Sequence, residues 1–406
     1  MKNIIELQDE KAFVSEIHAI MVKYNIVGCQ AAAVFKDKLL WSNAFGYRNL
    51  ATKEPVTENT MFRIASITKL FTATAIMQLV ERNLIDLDED ISVYLGFKVR
   101  NPNFPNKCIS LRQILTHTSS LNSDDESSSV YAKYIREGHS NFSLHLTDLL
   151  NENGEYYTKE IWGNWKPGDK TQWVYSNIGA IICGAIIEKV TRKRFDQYIE
   201  LNIFEPLKMK NVAFSYSNIN KNHELANLYE INKDTQDYKI TINDVNQKEY
   251  EKTHWDQYSI GNHGGLFEPQ GGLRTTAVEL SKFLRAHMLD GSLNGKQILE
   301  PKTSKLMKLI QWSRVEKNHF FHKMGLGFHI SHDFLPNYDE MIGHAGEAYG
   351  LISNLYWHDE KQFGIIFILN GCQFDLNPNT RLEVEKELAE VIYKHVIESY
   401  IENQIY

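Results

Sequence analysis

Apolar residues recur at helical spacing at Phe13, Ile17, Ile20, Met21 and Tyr24, which predicts an opening amphipathic helix. The next apolar runs, CQAAAVF and LLWSNAF, flank Lys36-Asp37-Lys38 and read as the arms of a hairpin. A second helical stripe, Leu70, Ala73, Ile76, Met77 and Val80, follows Ser66. The middle third is poor in strand signals: it holds LRQILTHTSSL, the polar stretch NSDDESSSV and a helix from about Ile178 to Thr191. Beyond Gly271-Gly272 the pattern changes again. TAVELSKFLRAHML reads as a helix, GLGFHI, LISNLYWH and FGIIFILN read as strands, and Asp359-Glu360-Lys361 forms a short turn between the last two. TRLEVEKELAEVIYKHVIESYI closes the chain as an amphipathic helix. Strands at both ends with helices between them predict an α/β (α+β) protein: residues 1–85 and 271–406 build one sheet domain, and residues 86–270 form a mainly helical insertion.

At 406 residues, with 43% hydrophobic and 23% charged positions, the chain can bury a large core and does not have the composition of a disordered protein. A net charge of −7 leaves no basic footprint for nucleic acid. Cys29, Cys108, Cys183 and Cys372 are scattered without metal-ligand spacing and read as reduced core thiols. The histidines outside the motifs below show no metal-ligand spacing and no HExxH occurs, so neither a metal nor another cofactor is expected. No apolar run is long enough for a transmembrane helix, and MKNIIELQDEKAF does not make a secretory signal, so a cytoplasmic location is the expectation unless a signal was removed. Composition is silent on oligomeric state.

Candidate chemistry enters at FRIASITKLF, where Ser66 stands three residues ahead of Lys69 at a helix start. Residues at i and i+3 share a helical face, so both side chains can reach one cleft. A serine hydroxyl is a weak nucleophile until a base takes its proton, and lysine serves only when neutral. Bringing an amine from about 10.4 to near 7 costs about 4 to 5 kcal/mol, which burial and a neighbouring cation can supply. The helix start adds backbone donors for an oxyanion. Serine is also a preferred N-cap and lysine is common on helices, so Ser-x-x-Lys alone is a weak signal.

Its companions add weight. NAFGYRNLATKEPVTENTMFRIASITKLFTATAIMQLVE resembles the nucleophile region of the serine β-lactamase and penicillin-binding protein superfamily, especially the class C β-lactamase, D-peptidase and carboxylesterase branch. That branch carries Ser-x-x-Lys, Tyr-x-Asn, and Lys- or His-x-Gly on a strand. For the second motif, Tyr175-Ser176-Asn177 precedes the small and apolar IGAIICGAII and is preferred to Tyr216-Ser217-Asn218 in a polar stretch and to Tyr47-Arg48-Asn49 in the opening hairpin. For the third, His344-Ala345-Gly346 in IGHAGEAYG, just before two strands, is preferred to His263-Gly264-Gly265 and to Lys323-Met324-Gly325, which belongs to the branch's Gly-Leu-Gly strand. LRQILTHTSSL matches a further segment of the branch except that Ser120 replaces glycine, and His117 within it reads as architectural.

The resemblance spans roughly Val27 to Gly371. It implies an antiparallel sheet flanked by helices with the site in the cleft beside the inserted domain. It also implies that Ser66 is the nucleophile, Lys69 and Tyr175 move protons, Asn177 holds Lys69 and a substrate amide, and the backbone N–H groups of Ser66 and Glu347 form the oxyanion hole. His344 and Gly346 would line the substrate site; a histidine there, charged only in part near neutrality, weakens recognition of a substrate carboxylate. Glu347, where many relatives carry Gly or Ser, would place a carboxylate beside the hole. The expected activity is a metal-independent serine hydrolase acting through an acyl-serine on a small amide or peptide, as a D-peptidase or β-lactamase-like enzyme. A carboxylesterase, a transacylase, or a penicillin- or peptide-binding protein with negligible turnover are the alternatives.

Overall fold

The computed structural model describes residues 7, 9–122, 129–138, 141–214, 219, 223–232, 234–244, 258–314, 320–374 and 381–405. Tyr216-Ser217-Asn218 and most of NSDDESSSV lie outside them.

Nine strands form one antiparallel sheet: β1 (Gly28–Phe35), β2 (Lys38–Asn49), β3 (Glu54–Pro55), β4 (Trp312–Ser313), β5 (Lys323–Met324), β6 (His329–Ser331), β7 (Met341–Ala348), β8 (Leu351–His358) and β9 (Phe363–Leu369). Their spatial order is β4-β5-β6-β7-β8-β9-β1-β2-β3, so the two ends of the chain meet where β9 pairs with β1, from Cys29 opposite Leu369 to Phe35 opposite Phe363. Side chains alternate across a strand. Ala32, Val34, Leu355, Trp357, Ile366 and Ile368 therefore join one core, while Ala31, Ala33, Tyr356, Ile365 and Phe367 join a second core on the opposite face. Burial on both faces explains why these strands read as continuous apolar runs.

The second core is closed by α1 (Glu10–Lys23) and α5 (Glu383–Ile392). The first lies under α2 (Thr68–Glu81), α3 (Asn177–Thr191) and α4 (Ala277–Met288). The apolar stripe of α2 predicts one buried face, but Thr68 through Leu79 are all buried. Most of its polar groups find partners inside the protein: Thr72 Oγ1 donates to Pro269 O at 2.7 Å, and Gln78 Nε2 donates to the carbonyls of Asn202 and Ile298. A helix buried all round is held by its neighbours more than by its own stripe.

Several sequence expectations need correction. GLGFHI is a strand only at its end: Gly325 to Phe328 form the turn between β5 and β6, with Gly327 at φ +81° and Gly325 N–H donating to Phe328 O, and His329 and Ile330 enter β6. His344 lies within β7 rather than ahead of the strands, because Gly343 and Gly346 interrupt the apolar pattern that would have marked one. Short strands Val212–Phe214, Leu228–Ile231 and Tyr238–Ile242 occur in the middle third. Cys108 is exposed, whereas Cys29, Cys183 and Cys372 are buried. Among the described residues no helix is long and apolar enough to cross a membrane.

Candidate active site

Ser66 lies in a 3₁₀ turn, Ala65–Ile67, that leads into α2. It is not the helix N-cap: Ile64 holds that place at the turn, with no side-chain cap bond. Ala65 is driven to φ +43°, a region that costs a residue with a Cβ. Ser66 Oγ instead accepts a hydrogen bond from Lys69 Nζ at 3.0 Å. A second Lys69 N–H donates to the carbonyl of Gln270 at 2.7 Å, and Nζ stands 4.8 Å from the centre of the Tyr175 ring. Lys69 is buried and Ser66 half-buried, so the hydroxyl keeps an open side.

Tyr175 and Asn177 arrive from the start of α3. Ser176 caps that helix, its Oγ accepting from Gly179 N–H, and this fixes the two residues on either side of it. His117 packs 4.5 Å from the Tyr175 ring, and its Nδ1 accepts from Ser176 N–H. Burial, with Lys69 and His344 adding to it, holds His117 well below the usual histidine range. A neutral ring whose Nδ1 is spent on the backbone supports α3; the architectural reading of His117 agrees with this geometry.

β7 forms the opposite wall. A Cβ added at Gly346 would lie 2.4 Å from Ser353 Oγ, 2.5 Å from Ile64 O and 3.1 Å from Ser66 N, so glycine is what lets the strand pass against the Ser66 turn. Ser353 Oγ fastens the same contact by donating to Ile64 O at 2.8 Å. His344 shares Gly346's face and is buried. Its Nδ1–H donates to Ala345 O, which leaves Nε2 as an enclosed lone pair without a partner among the described residues. Burial first, and then the nearby Lys69, lower it to about 3, so the ring is neutral at physiological pH.

Ala345 packs into the core on the other side of the sheet, and Glu347 shares its face. The carboxylate expected beside the oxyanion hole therefore points away from Ser66. It stands exposed at the far side, where the surrounding protein and then Glu385 push it up to about 7. Only the backbone of Glu347 belongs to the Ser66 side.

The competing motifs within the described residues are elsewhere. Lys323 pairs with Glu340, and Tyr47 is exposed on β2. His263 is buried against Tyr134, its Nδ1 accepting from Gly265 N–H.

The Gln270 carbonyl is a feature that sequence reasoning missed, because a backbone acceptor leaves no residue signature. It is held by buried charge. Phe62–Arg63 pairs with Leu273–Thr275; Arg63 reaches Glu268 at 3.1 Å and Asp244 at 3.7 Å, and Arg274 grips Asp244 with two bonds of 2.7 and 2.8 Å. All four side chains are buried, and Glu268 sits at φ +47° just ahead of Gln270. Also missed was an aromatic wall: Phe321 stacks on Tyr175 at 5.4 Å and lies 4.8 Å from Trp173. Among the described residues no group of three or more His, Cys, Asp or Glu side chains is arranged to hold a metal ion.

Comparison with known proteins gives the family. Protein flp of Staphylococcus aureus (strain MW2) is 24% identical over 351 residues, covering 86% of this chain and 60% of that protein. Penicillin-binding protein 4* of Bacillus subtilis (strain 168) is 28% identical over 194 residues, 46% of this chain and 38% of that protein. The chain thus spans at most about 60% of the length of these curated relatives. Among solved structures, the octameric penicillin-binding protein homologue from Pyrococcus abyssi matches with a TM-score of 0.69 at 22% identity, covering 98% of this chain and 81% of that one. The D-amino acid amidase from Ochrobactrum anthropi SV3 complexed with L-phenylalanine amide matches with a TM-score of 0.68 at 21% identity, covering 97% and 100%. The family model described as Beta-lactamase matches residues 12–387, and the chain belongs to that family.

Proposed function

We propose that this protein is a metal-independent serine hydrolase that cleaves small amides or peptides through an acyl-Ser66 intermediate. One observation carries the reading: Lys69 Nζ lies 3.0 Å from Ser66 Oγ while another of its N–H groups is spent on Gln270 O. That second bond orients the amine, so that in its neutral form the lone pair faces the hydroxyl. Ser66 attacks the carbonyl carbon and its proton passes to Lys69, directly or through the Tyr175 hydroxyl. The oxyanion is held by the backbone N–H groups of Ser66 and Glu347, which the close pass of Gly346 supports. The proton then goes to the departing amine as the C–N bond breaks. Water attacks the acyl-enzyme, Lys69 or Tyr175 takes its proton, and Ser66 leaves re-protonated. Asn177, at the first turn of α3, would hold the substrate amide.

Amide hydrolysis of the D-peptidase or D-amidase kind stands ahead of β-lactam hydrolysis, because the neutral His344 gives no fixed charge for a carboxylate next to the scissile bond. A carboxylesterase or a transacylase would use the same acyl-enzyme, and a penicillin-binding protein would form it without release. The test is intact-mass analysis of wild type and Ser66→Ala after exposure to a fluorophosphonate and to a penicillin. Wild type should gain one fluorophosphonate adduct and Ser66→Ala none. Labelling that persists in Ser66→Ala would move the nucleophile elsewhere, and a stable penicillin adduct would favour the binding-protein reading.

A further inference from the structure

The aromatic wall beside Tyr175 does not end at Phe321. Trp173 stacks on Trp312 with ring centres 5.4 Å apart, and the Arg314 guanidinium lies over both, 5.7 Å from Trp173 and 5.4 Å from Trp312. Arg314 follows β4, and its backbone N–H extends that strand's ladder by donating to His322 O, so the side chain springs from a fixed sheet edge. It is half-buried, and among the described residues no carboxylate pairs with it. Among the described residues its enclosed Nε–H has no acceptor, and neither does the enclosed indole N–H of Trp173. Trp312 differs, its N–H donating to Lys170 O at 2.8 Å.

Two enclosed donors without acceptors, one of them on a permanent cation, mark a place suited to an acceptor-bearing anion. The wall also has a direction. From Lys69 it runs across the Tyr175 ring to Trp173, 6.3 Å further on, and then to Arg314. Near Ser66 the residue on β7 is the neutral His344, so fixed positive charge for a substrate lies not beside the scissile bond but at the far end of an aromatic surface.

We propose that Arg314, with Trp173, forms a distal carboxylate subsite, and that the substrate carries an aromatic or other flat apolar group lying along Trp173, Tyr175 and Phe321 and ending in a carboxylate. This rests on the Ser66 hydrolase reading and narrows its substrate class. A carboxylate there takes charge-assisted hydrogen bonds from Arg314 and the second donor from Trp173.

The experiment uses matched pairs of esters. One pair has phenylacetylglycine esterified to 3-hydroxybenzoate or to 3-hydroxybenzamide; the other has p-nitrophenyl esters of 4-carboxyphenylacetate or 4-carbamoylphenylacetate. Within a pair only the charge differs, and the two pairs place it on the leaving or the acyl side. In wild type the carboxylate member should have the higher kcat/KM in one pair, and Arg314→Met should lower that carboxylate-to-carboxamide ratio about tenfold, with Arg314→Lys between. Ratios that do not move in either pair overturn the proposal. Should wild type turn over no ester, the hydrolase reading has failed, and calorimetric binding of 4-carboxyphenylacetate to Ser66→Ala decides the subsite by itself. Binding that is weakened by adding Arg314→Met supports it, and no binding, or binding indifferent to Arg314, removes it. Circular dichroism and thermal melting of each variant separate a misfolded protein from a changed subsite.

Discussion

Ser120 occupies a backbone position at φ +62° that suits glycine, and its hydroxyl accounts for its tolerance there. Buried Ser120 Oγ accepts from Asn101 Nδ2 at 3.0 Å, tying LRQILTHTSSL to the loop that precedes it. A left-handed conformation costs a residue with a Cβ about 1–2 kcal/mol, and a buried hydrogen bond returns about 1 kcal/mol. Ser120→Ala keeps the strain and loses the bond, so urea unfolding should show a loss of about 1–2 kcal/mol. Ser120→Gly loses both together and should stay within about 1 kcal/mol of wild type. If the alanine variant is as stable as wild type, the hydroxyl does not play this part. The departure from glycine is visible in the sequence; the compensation is not, because Asn101 is 19 residues away.

At the scale of elements, the candidate site turns on the contact between β7 and the Ser66 turn, with the start of α3 beside it. β7 approaches the Ser66 turn only because residue 346 has no side chain, and two of the obstacles to a Cβ there are backbone atoms, Ile64 O and Ser66 N. Gly346→Ala must move the strand or the turn. We expect a stability loss of about 1–3 kcal/mol, as for other overpacked contacts, and fluorophosphonate labelling at least tenfold slower than wild type. Labelling at the wild-type rate would show that this contact does not set the geometry of the reacting centre. The helices α2 and α3 were legible from their apolar spacing. β7 was not, since the glycines that fit it to Ser66 also erase its strand pattern.

Over the whole molecule, four buried histidines make the fold acid-sensitive. His117 and His329 lie well below the usual histidine range, and His287 and His344 are lowered to about 3, all with burial as the largest cause. Each is neutral when folded and takes a proton near pH 6.5 when unfolded. Their contribution is therefore complete above about pH 6.5 and is lost progressively as pH falls toward the folded values, at about 1.4 kcal/mol per pH unit per group. Glu188 and Glu347 oppose them, each raised to about 7 with desolvation as the largest cause, and Glu385 is raised as well, so between the unfolded and folded values the folded state holds the extra protons and gains stability as pH falls. Four imidazoles stand against three carboxyls, which leaves a net loss toward acid. Melting temperature should drop modestly between pH 7 and pH 5; a profile that rises toward acid would mean that these rings are hydrated or protonated in the native state. Because His344 stays neutral across that range, the kcat/KM profile should carry no inflection from it.

The sequence by itself determined the sheet-forming ends and the helices α2 and α3, and it singled out Ser66, Lys69, Tyr175 and His344 as candidates. Those signals are local, residing in apolar period, capping chemistry and short spacings that each element carries within itself. Tertiary structure alone decided which of the described motif copies come together, that Glu347 faces away from Ser66, and that His344 is neutral. It also supplied the Gln270 carbonyl, the four buried charges behind it and the aromatic path to Arg314. Each of these depends on groups distant in sequence, on the pleat of a strand, or on burial, and chain order alone fixes none of the three.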